Sequence, residues 1–121
     1  HTFTWKIAQS SRCEKLFVAP GNAGTSKIAE NVALDILDFE TVGQFVLQNG
    51  VSLVVVGPEA PLVAGIVDYF KADKKLKKVG IIGPSAKGAM LEGSKDFSKD
   101  FMRRHGVPTA SSKTFAKESI T

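Results

Sequence analysis

The sequence predicts an α/β protein built on a doubly wound parallel sheet with helices on both faces. Short apolar runs rich in Val and Ile alternate with stretches whose apolar residues recur at helical spacing. The central run, Ser52-Leu53-Val54-Val55-Val56, has no polar side chain after Ser52, as expected of a strand covered on both faces. The runs ending at Ala19, Val56 and Ile82 each close in a turn that bears glycine and proline, at the edge where open α/β sheets bind ligands.

Taken in order, residues 1–9 read as a helix with Phe3 and Ile7 one turn apart and Trp5 assigned to the core. No capping residue or strand precedes it, so the sequence is expected to begin inside a structural element, with its first strand missing. Leu16–Ala19 reads as a strand, closed by Pro20-Gly21-Asn22-Ala23-Gly24-Thr25, and Asn31–Leu34 as a second, shorter strand. Asp38 caps a helix that buries Phe39, Val42, Phe45 and Val46 and stops at Gly50. The central strand follows. Burying its four apolar side chains is worth roughly 1.5–3 kcal/mol each, against about 1–2 kcal/mol per residue of backbone ordering.

Beyond the turn Gly57-Pro58-Glu59, a helix is expected from Pro61 to Ala72, burying Leu62, Val63, Ile66, Val67 and Phe70. Val79–Ile82 is the next strand, ended by Gly83-Pro84. Ser85 caps a helix through Leu91, and Ser94 caps another to His105, stopped by Gly106. Asp96 in the first turn of that helix and Arg103, Arg104 and His105 in its last carry the signs its dipole favours. Residues 1–107 are therefore assigned to one domain and 108–121 to a linker, with Lys113-Thr114-Phe115 as a strand start.

Composition bounds the function. The chain has 121 residues, enough for one modest domain or one domain and the start of another. No apolar run approaches the roughly 20 residues that span a bilayer. The opening HTFTWKIAQS lacks a basic leader followed by an apolar core, so the cytoplasm is the expected location. One cysteine, Cys13, excludes an internal disulfide framework and a cysteine-only metal site. The net charge of +4 is concentrated at Lys71, Lys74, Lys75, Lys77 and Lys78. These read as a solvated helix end, because no aromatic or arginine interleaves with them as base stacking would need. Nucleic acid and membrane are not expected partners.

Two turns at strand ends stand out, PGNAGT and GPEAPL. In a parallel sheet such turns lie side by side and can share one ligand. The first offers backbone amides and the Thr25 hydroxyl, which suit a phosphate; the second offers the Glu59 carboxylate, which suits an amine or a sugar hydroxyl. Each also reads as an ordinary structural turn. There is no G-x-G-x-x-G, and Gly88 to Lys95 reverses the Lys-Ser/Thr order of a P-loop. His1 and His105 lack partners at metal-ligand spacing, and Cys13 lacks the cues of a nucleophile.

LFVAPGNAGT, NVALDI, VVVGPEAPLVAGIVDYF and IIGPSAKGAMLEGSKDFSKDFMRRHGVPTA resemble, in order and over nearly the whole chain, the phosphoribosylamine–glycine ligase (glycinamide ribonucleotide synthetase) family of the ATP-grasp superfamily. The resemblance implies the family's Rossmann-like amino-terminal domain. In the family a first strand and a loop ending Gly-Gly-Arg-Glu-His precede the first helix, and only His1 of that loop is present here. It further implies an ATP-dependent carbon–nitrogen ligase of purine biosynthesis, using ATP with Mg2+ (or Mn2+), glycine and 5-phosphoribosylamine. Its ATP-grasp domains would lie after Thr121, so 1–121 by itself is expected to be inactive and to hold neither catalytic nor metal-binding residues. Gly21, Asn22, Gly24 and Thr25 would lie near the phosphate or ribose of phosphoribosylamine. Gly57, Pro58 and Glu59 would lie by the ribose and amine, with Leu62 beneath, and Lys95 and Arg104 toward the nucleotide. A biotin-carboxylase-like amino-terminal domain shares the IGPS strand end and GVPT junction but is not expected to carry both turns. A non-catalytic nucleotide-binding module would favour an acceptor aspartate where this chain has Gly-Pro-Glu. The resemblance leaves oligomeric state open.

Overall fold

The computed structural model describes residues 1–115, which fall into two compact units, His1–Ser52 and a second from Leu53 onward. Both are α/β, and every strand pairing is parallel.

The first unit runs α1 (Thr2–Ala8), β1 (Phe17–Val18), a 3-10 turn (Thr25–Lys27), β2 (Glu30–Asn31) and α2 (Phe39–Gln48). β1 and β2 pair with Phe17 opposite Glu30 and Val18 opposite Asn31, and the Val32 amide extends the ladder to the Val18 carbonyl. The second strand therefore starts one residue earlier than its apolar residues suggest. Phe17 meets Phe45 of α2 edge-on, with ring centroids 5.2 Å apart, a geometry favoured by the ring quadrupoles. Asp38 caps α2 as expected, accepting from the Thr41 amide at 3.1 Å and the Thr41 hydroxyl at 2.6 Å. These bonds, the hydroxyl first, hold its carboxyl below the usual value. α2 ends at Asn49, and Gly50 follows in the left-handed region at φ 62°, where a Cβ would be strained.

Trp5 does not join a core. It and Phe3 are exposed, and Thr4 is the buried residue of α1. Residues 3 and 5 lie about 200° apart around a helix, so one buried face cannot take both.

The second unit runs β3 (Leu53–Val55), α3 (Glu59–Val63), α4 (Ile66–Ala72), a 3-10 turn (Leu76–Lys78), β4 (Gly80–Ile82), α5 (Ala86–Gly93) and α6 (Lys95–Arg104). Leu53, Val54 and Val55 pair with Gly80, Ile81 and Ile82. Its core is Leu62, Ile66, Val67, Phe70, Leu76 and Ala89, with Val67 and Phe70 fully buried. Each of the larger side chains contributes roughly 1.5–3 kcal/mol by leaving water.

The expected single helix from Pro61 is instead two. The first starts at Glu59, because Pro58 is extended and opens it, and Pro61 falls early enough that its missing N–H breaks no helical bond. The Gly65 amide closes α3 on the Pro61 and Leu62 carbonyls, both at 3.1 Å, and its φ of 96° turns the chain into α4. Asp68 of α4 accepts from the Ala86 amide at 2.8 Å and so fixes the start of α5.

Coverage of β3 on both faces is also corrected: Val54 is half-buried, whereas Leu53 and Val55 are exposed, as is Ile82 beside Val55. An apolar run reports that burial is favourable, not what covers each face. Lys113–Phe115 is not a strand; there the Thr114 hydroxyl donates to Asp96 at 2.5 Å. The five clustered lysines are all exposed.

Candidate functional site

The PGNAGT turn leaves the end of β1 and is closed by its own side chains. Gly21 takes φ 78°, which reverses the chain directly after Pro20. The Asn22 side-chain oxygen accepts from the amides of Gly24 (2.9 Å) and Thr25 (3.0 Å), and the Asn22 carbonyl accepts from the Ser26 amide. Thr25, 1% exposed, accepts from the Asn22 amide at 2.8 Å. Its hydroxyl proton has two acceptors in reach, the Asn31 side-chain oxygen at 2.8 Å and the Asn22 carbonyl at 3.0 Å. Asn31, on β2, in turn donates to the Asn22 carbonyl at 2.8 Å.

This geometry sorts the expected site residues of the first unit. Thr25 is committed inside the turn, and so are the amides of Asn22, Gly24 and Thr25. Among the described residues, the amides of Gly21 and Ala23 carry no internal bond and are the donors left for a ligand. Asn22 stays exposed. Two residues missed by sequence reasoning lie against the turn. Asn31 packs on Gly21, where a Cβ would collide with its carboxamide. His1 packs on Gly24, its Cδ2 lying 2.7 Å from where a Cβ would stand. The only sequence signal was the two glycines, which are bare because those side chains take the space.

In the second unit Gly57, Pro58 and Glu59 are exposed at the end of β3. The Val56 amide still bonds to the Ile82 carbonyl at 3.1 Å, so the turn begins from a paired strand. Glu59 occupies the first turn of α3, the end at which the helix dipole favours an acid. Its Oε1 lies 3.5 Å from where a Cβ on Gly93 would stand, so α5 ends beside the carboxylate. Leu62 is buried and packs on Gly83, a foundation for the turn rather than a surface.

Lys95 is exposed at the first residue of α6. Arg104, also exposed, pairs with Asp100 at 3.0 Å, and Arg103 pairs with the same carboxylate at 3.3 Å. An open cavity of about 510 Å³ lies between α6 and the following segment, lined by residues including Lys99, Arg103, Val107 and Thr109. None of the expected site residues lines it. Lys99 is engaged there with the Thr109 hydroxyl and the Ala110 carbonyl, both at 2.7 Å. Among the described residues no group of three or more His, Cys, Asp or Glu side chains could hold a metal ion, and none of the helices could cross a membrane.

Residues 1–92 match the family described as phosphoribosylglycinamide synthetase, N domain. The chain is 51% identical over 119 residues to a phosphoribosylamine–glycine ligase of Pseudomonas aeruginosa, covering 97% of this chain and 27% of that protein. It is 49% identical over 119 residues to the ligase of the same name in Pasteurella multocida, covering 97% of this chain and 27% of the relative. For the corresponding Escherichia coli protein the identity is 47% over 119 residues, with 97% and 27% covered. The chain thus spans about a quarter of the length of these relatives. By its match over residues 1–92 and its α/β architecture, the chain belongs to the phosphoribosylglycinamide synthetase N-domain family.

Proposed function

We propose that this chain is the substrate-binding amino-terminal part of an ATP-dependent ligase that joins glycine to 5-phosphoribosylamine. The products are glycinamide ribonucleotide, ADP and phosphate. The observation that carries the reading is 51% identity over 119 residues to a protein named phosphoribosylamine–glycine ligase. In the proposed reaction the glycine carboxylate attacks the terminal phosphate of ATP, releasing ADP and forming an acyl phosphate. The amine of phosphoribosylamine then attacks the acyl carbon, and phosphate leaves. Activation replaces a poor leaving group with a good one, while the protein orients the amine and keeps water away.

Within that scheme the PGNAGT turn serves the phosphate and ribose of phosphoribosylamine. The amides of Gly21 and Ala23 and the exposed Asn22 make the contacts, while Gly24 and Thr25 hold the turn. Gly57, Pro58 and Glu59 serve the ribose and amine, with Leu62 as the packing beneath them. The Glu59 carboxylate accepts a hydrogen bond from the amine and so orients its lone pair. Lys95 and Arg104 are assigned to the nucleotide side. ATP with Mg2+ or Mn2+ would supply the activating phosphoryl group; the described residues do not fit a metal site, so no step here runs through one. Residues 1–107 are read as the substrate-binding domain and 108–121 as a connector, in a cytoplasmic protein acting on small molecules.

The test is direct. The full-length protein carrying this chain is incubated with ATP, glycine and freshly generated phosphoribosylamine, and the product is read by mass spectrometry. Glycinamide ribonucleotide with stoichiometric ADP is expected. ATP hydrolysis without that product, or no dependence on phosphoribosylamine, would refute the reading.

A further inference from the structure

Asn31 lies nine residues beyond Asn22, on the neighbouring strand, and its side chain reaches back under the PGNAGT turn. The Asn31 carboxamide donates to the Asn22 carbonyl at 2.8 Å and accepts from the Thr25 hydroxyl at 2.8 Å. Thr25 accepts from the Asn22 amide, which closes a ring of bonds through three residues. Backbone and packing add to it. Gly21 is left-handed at φ 78°, and only the lack of a Cβ lets the carboxamide lie against it. One side chain therefore fixes both ends of the segment that bears the open amides of Gly21 and Ala23.

We infer that Asn31 is a positioning residue for substrate: it does not touch phosphoribosylamine but sets the direction of the turn's free amides toward the phosphate. The inference rests on the assignment of this turn to phosphoribosylamine. A free carboxamide in solution would fix nothing, but this one is oriented by the register Val18–Asn31, so the strand pair itself aims the turn. Removing the carboxamide leaves the Asn22 carbonyl and Thr25 hydroxyl without that partner, and both relax toward water. The ligand then has to order the turn before binding, which costs affinity and leaves the chemical step intact.

The experiment uses the full-length protein, with separate KM values for phosphoribosylamine, glycine and ATP. Asn31→Leu keeps the size and removes both bonds. It is expected to raise KM for phosphoribosylamine on the order of tenfold, the loss of about one well-made hydrogen bond. KM for ATP and glycine should stay within about twofold, a margin below the worth of one such bond. Thr25→Val should have a similar effect, and the double variant should be no worse than the more damaging single one, because both cut one network. Should Asn31→Leu not fold, Asn31→Ser makes the same comparison. Amide hydrogen exchange adds a second readout: Gly24 and Thr25 should exchange faster in the variant, with α2 unchanged.

Asn22→Asp separates the role of Asn31 from the assignment of the turn itself. It keeps the acceptor for the Gly24 and Thr25 amides but sets a negative charge where a phosphate is expected. If Asn22→Asp raises KM for phosphoribosylamine and Asn31→Leu does not, or if the double variant is additive, the role of Asn31 is overturned and the turn's assignment stands. If Asn22→Asp leaves that KM unchanged, the assignment fails and takes this inference with it.

Discussion

Gly93, the last residue of α5, gives Val63 of α3 its place. A Cβ at Gly93 would stand 2.5 Å from Val63 Cγ2, closer than any real contact allows, and 3.5 Å from the Glu59 carboxylate. The end of one helix is thus trimmed so that the helix carrying Glu59 can lie against it.

Gly93→Ala sets two effects against each other. Alanine gains roughly 1 kcal/mol over glycine in helix propensity, while forcing a methyl into a filled contact costs about 1–3 kcal/mol. The contact should win, because the atom met is the Cγ2 of a β-branched valine, whose restricted χ1 cannot swing it aside cheaply. Thermal unfolding should show a lower midpoint for Gly93→Ala, and adding Val63→Ala should recover part of the loss. A variant as stable as the parent would show that α3 yields freely.

Gly65 divides α3 from α4 at φ 96°. Gly65→Ala should destabilise by about 1–2 kcal/mol, the cost of left-handed backbone with a Cβ. There is room for the methyl, since the nearest atom, the Ala86 Cβ, is 3.7 Å away, so the loss reports backbone strain, less the smaller gain from a stiffer unfolded chain, and not a clash. Denaturant unfolding checks this, and an unchanged midpoint would mean that the two helices can fuse into one.

Asp38 and Asp73 both bind with carboxyls held below the ordinary value of 3.8. For Asp38 the Thr41 hydroxyl is the main cause; for Asp73 it is the Leu76 amide, then the Lys75 amide. A lowered folded-state value means that the charged form is favoured by folding. That contribution is fully present above the unfolded-state value and fades as pH falls through the lowered one. Urea midpoints measured from about pH 5 down to about pH 2, the span over which a carboxylate protonates, should fall less steeply in Asp38→Ser than in the parent. Serine caps the helix without titrating, so equal slopes would assign the acid sensitivity elsewhere.

The parts of the fold written in single residues were legible before any coordinates. Asp38, Ser85 and Ser94 each cap a helix as their side-chain chemistry requires, and Gly50 and Gly106 stop one with positive φ. Alternation of apolar runs with helical spacing was enough for parallel α/β pairing. What failed depended on context. The Pro61–Ala72 helix has one apolar face throughout, and nothing in its periodicity marks Gly65 as left-handed. Trp5 and the exposed side of β3 failed because hydrophobicity does not name its own cover. At the turn, PGNAGT was visible as a backbone cradle, but three of its five amides are taken by the Asn22 and Thr25 side chains folding back on it, and its hydroxyl is taken partly by Asn31, six positions beyond Thr25 and with no signature of its own.

Glu59→Gln in the full-length protein tests most directly whether the Gly57-Pro58-Glu59 turn serves phosphoribosylamine. Gln keeps the size and one acceptor but loses the charge that strengthens a hydrogen bond from an amine, a difference worth about tenfold in binding. KM for phosphoribosylamine should rise by about that factor while KM for ATP stays constant. An equal loss for both substrates, or none for either, would contradict the assignment.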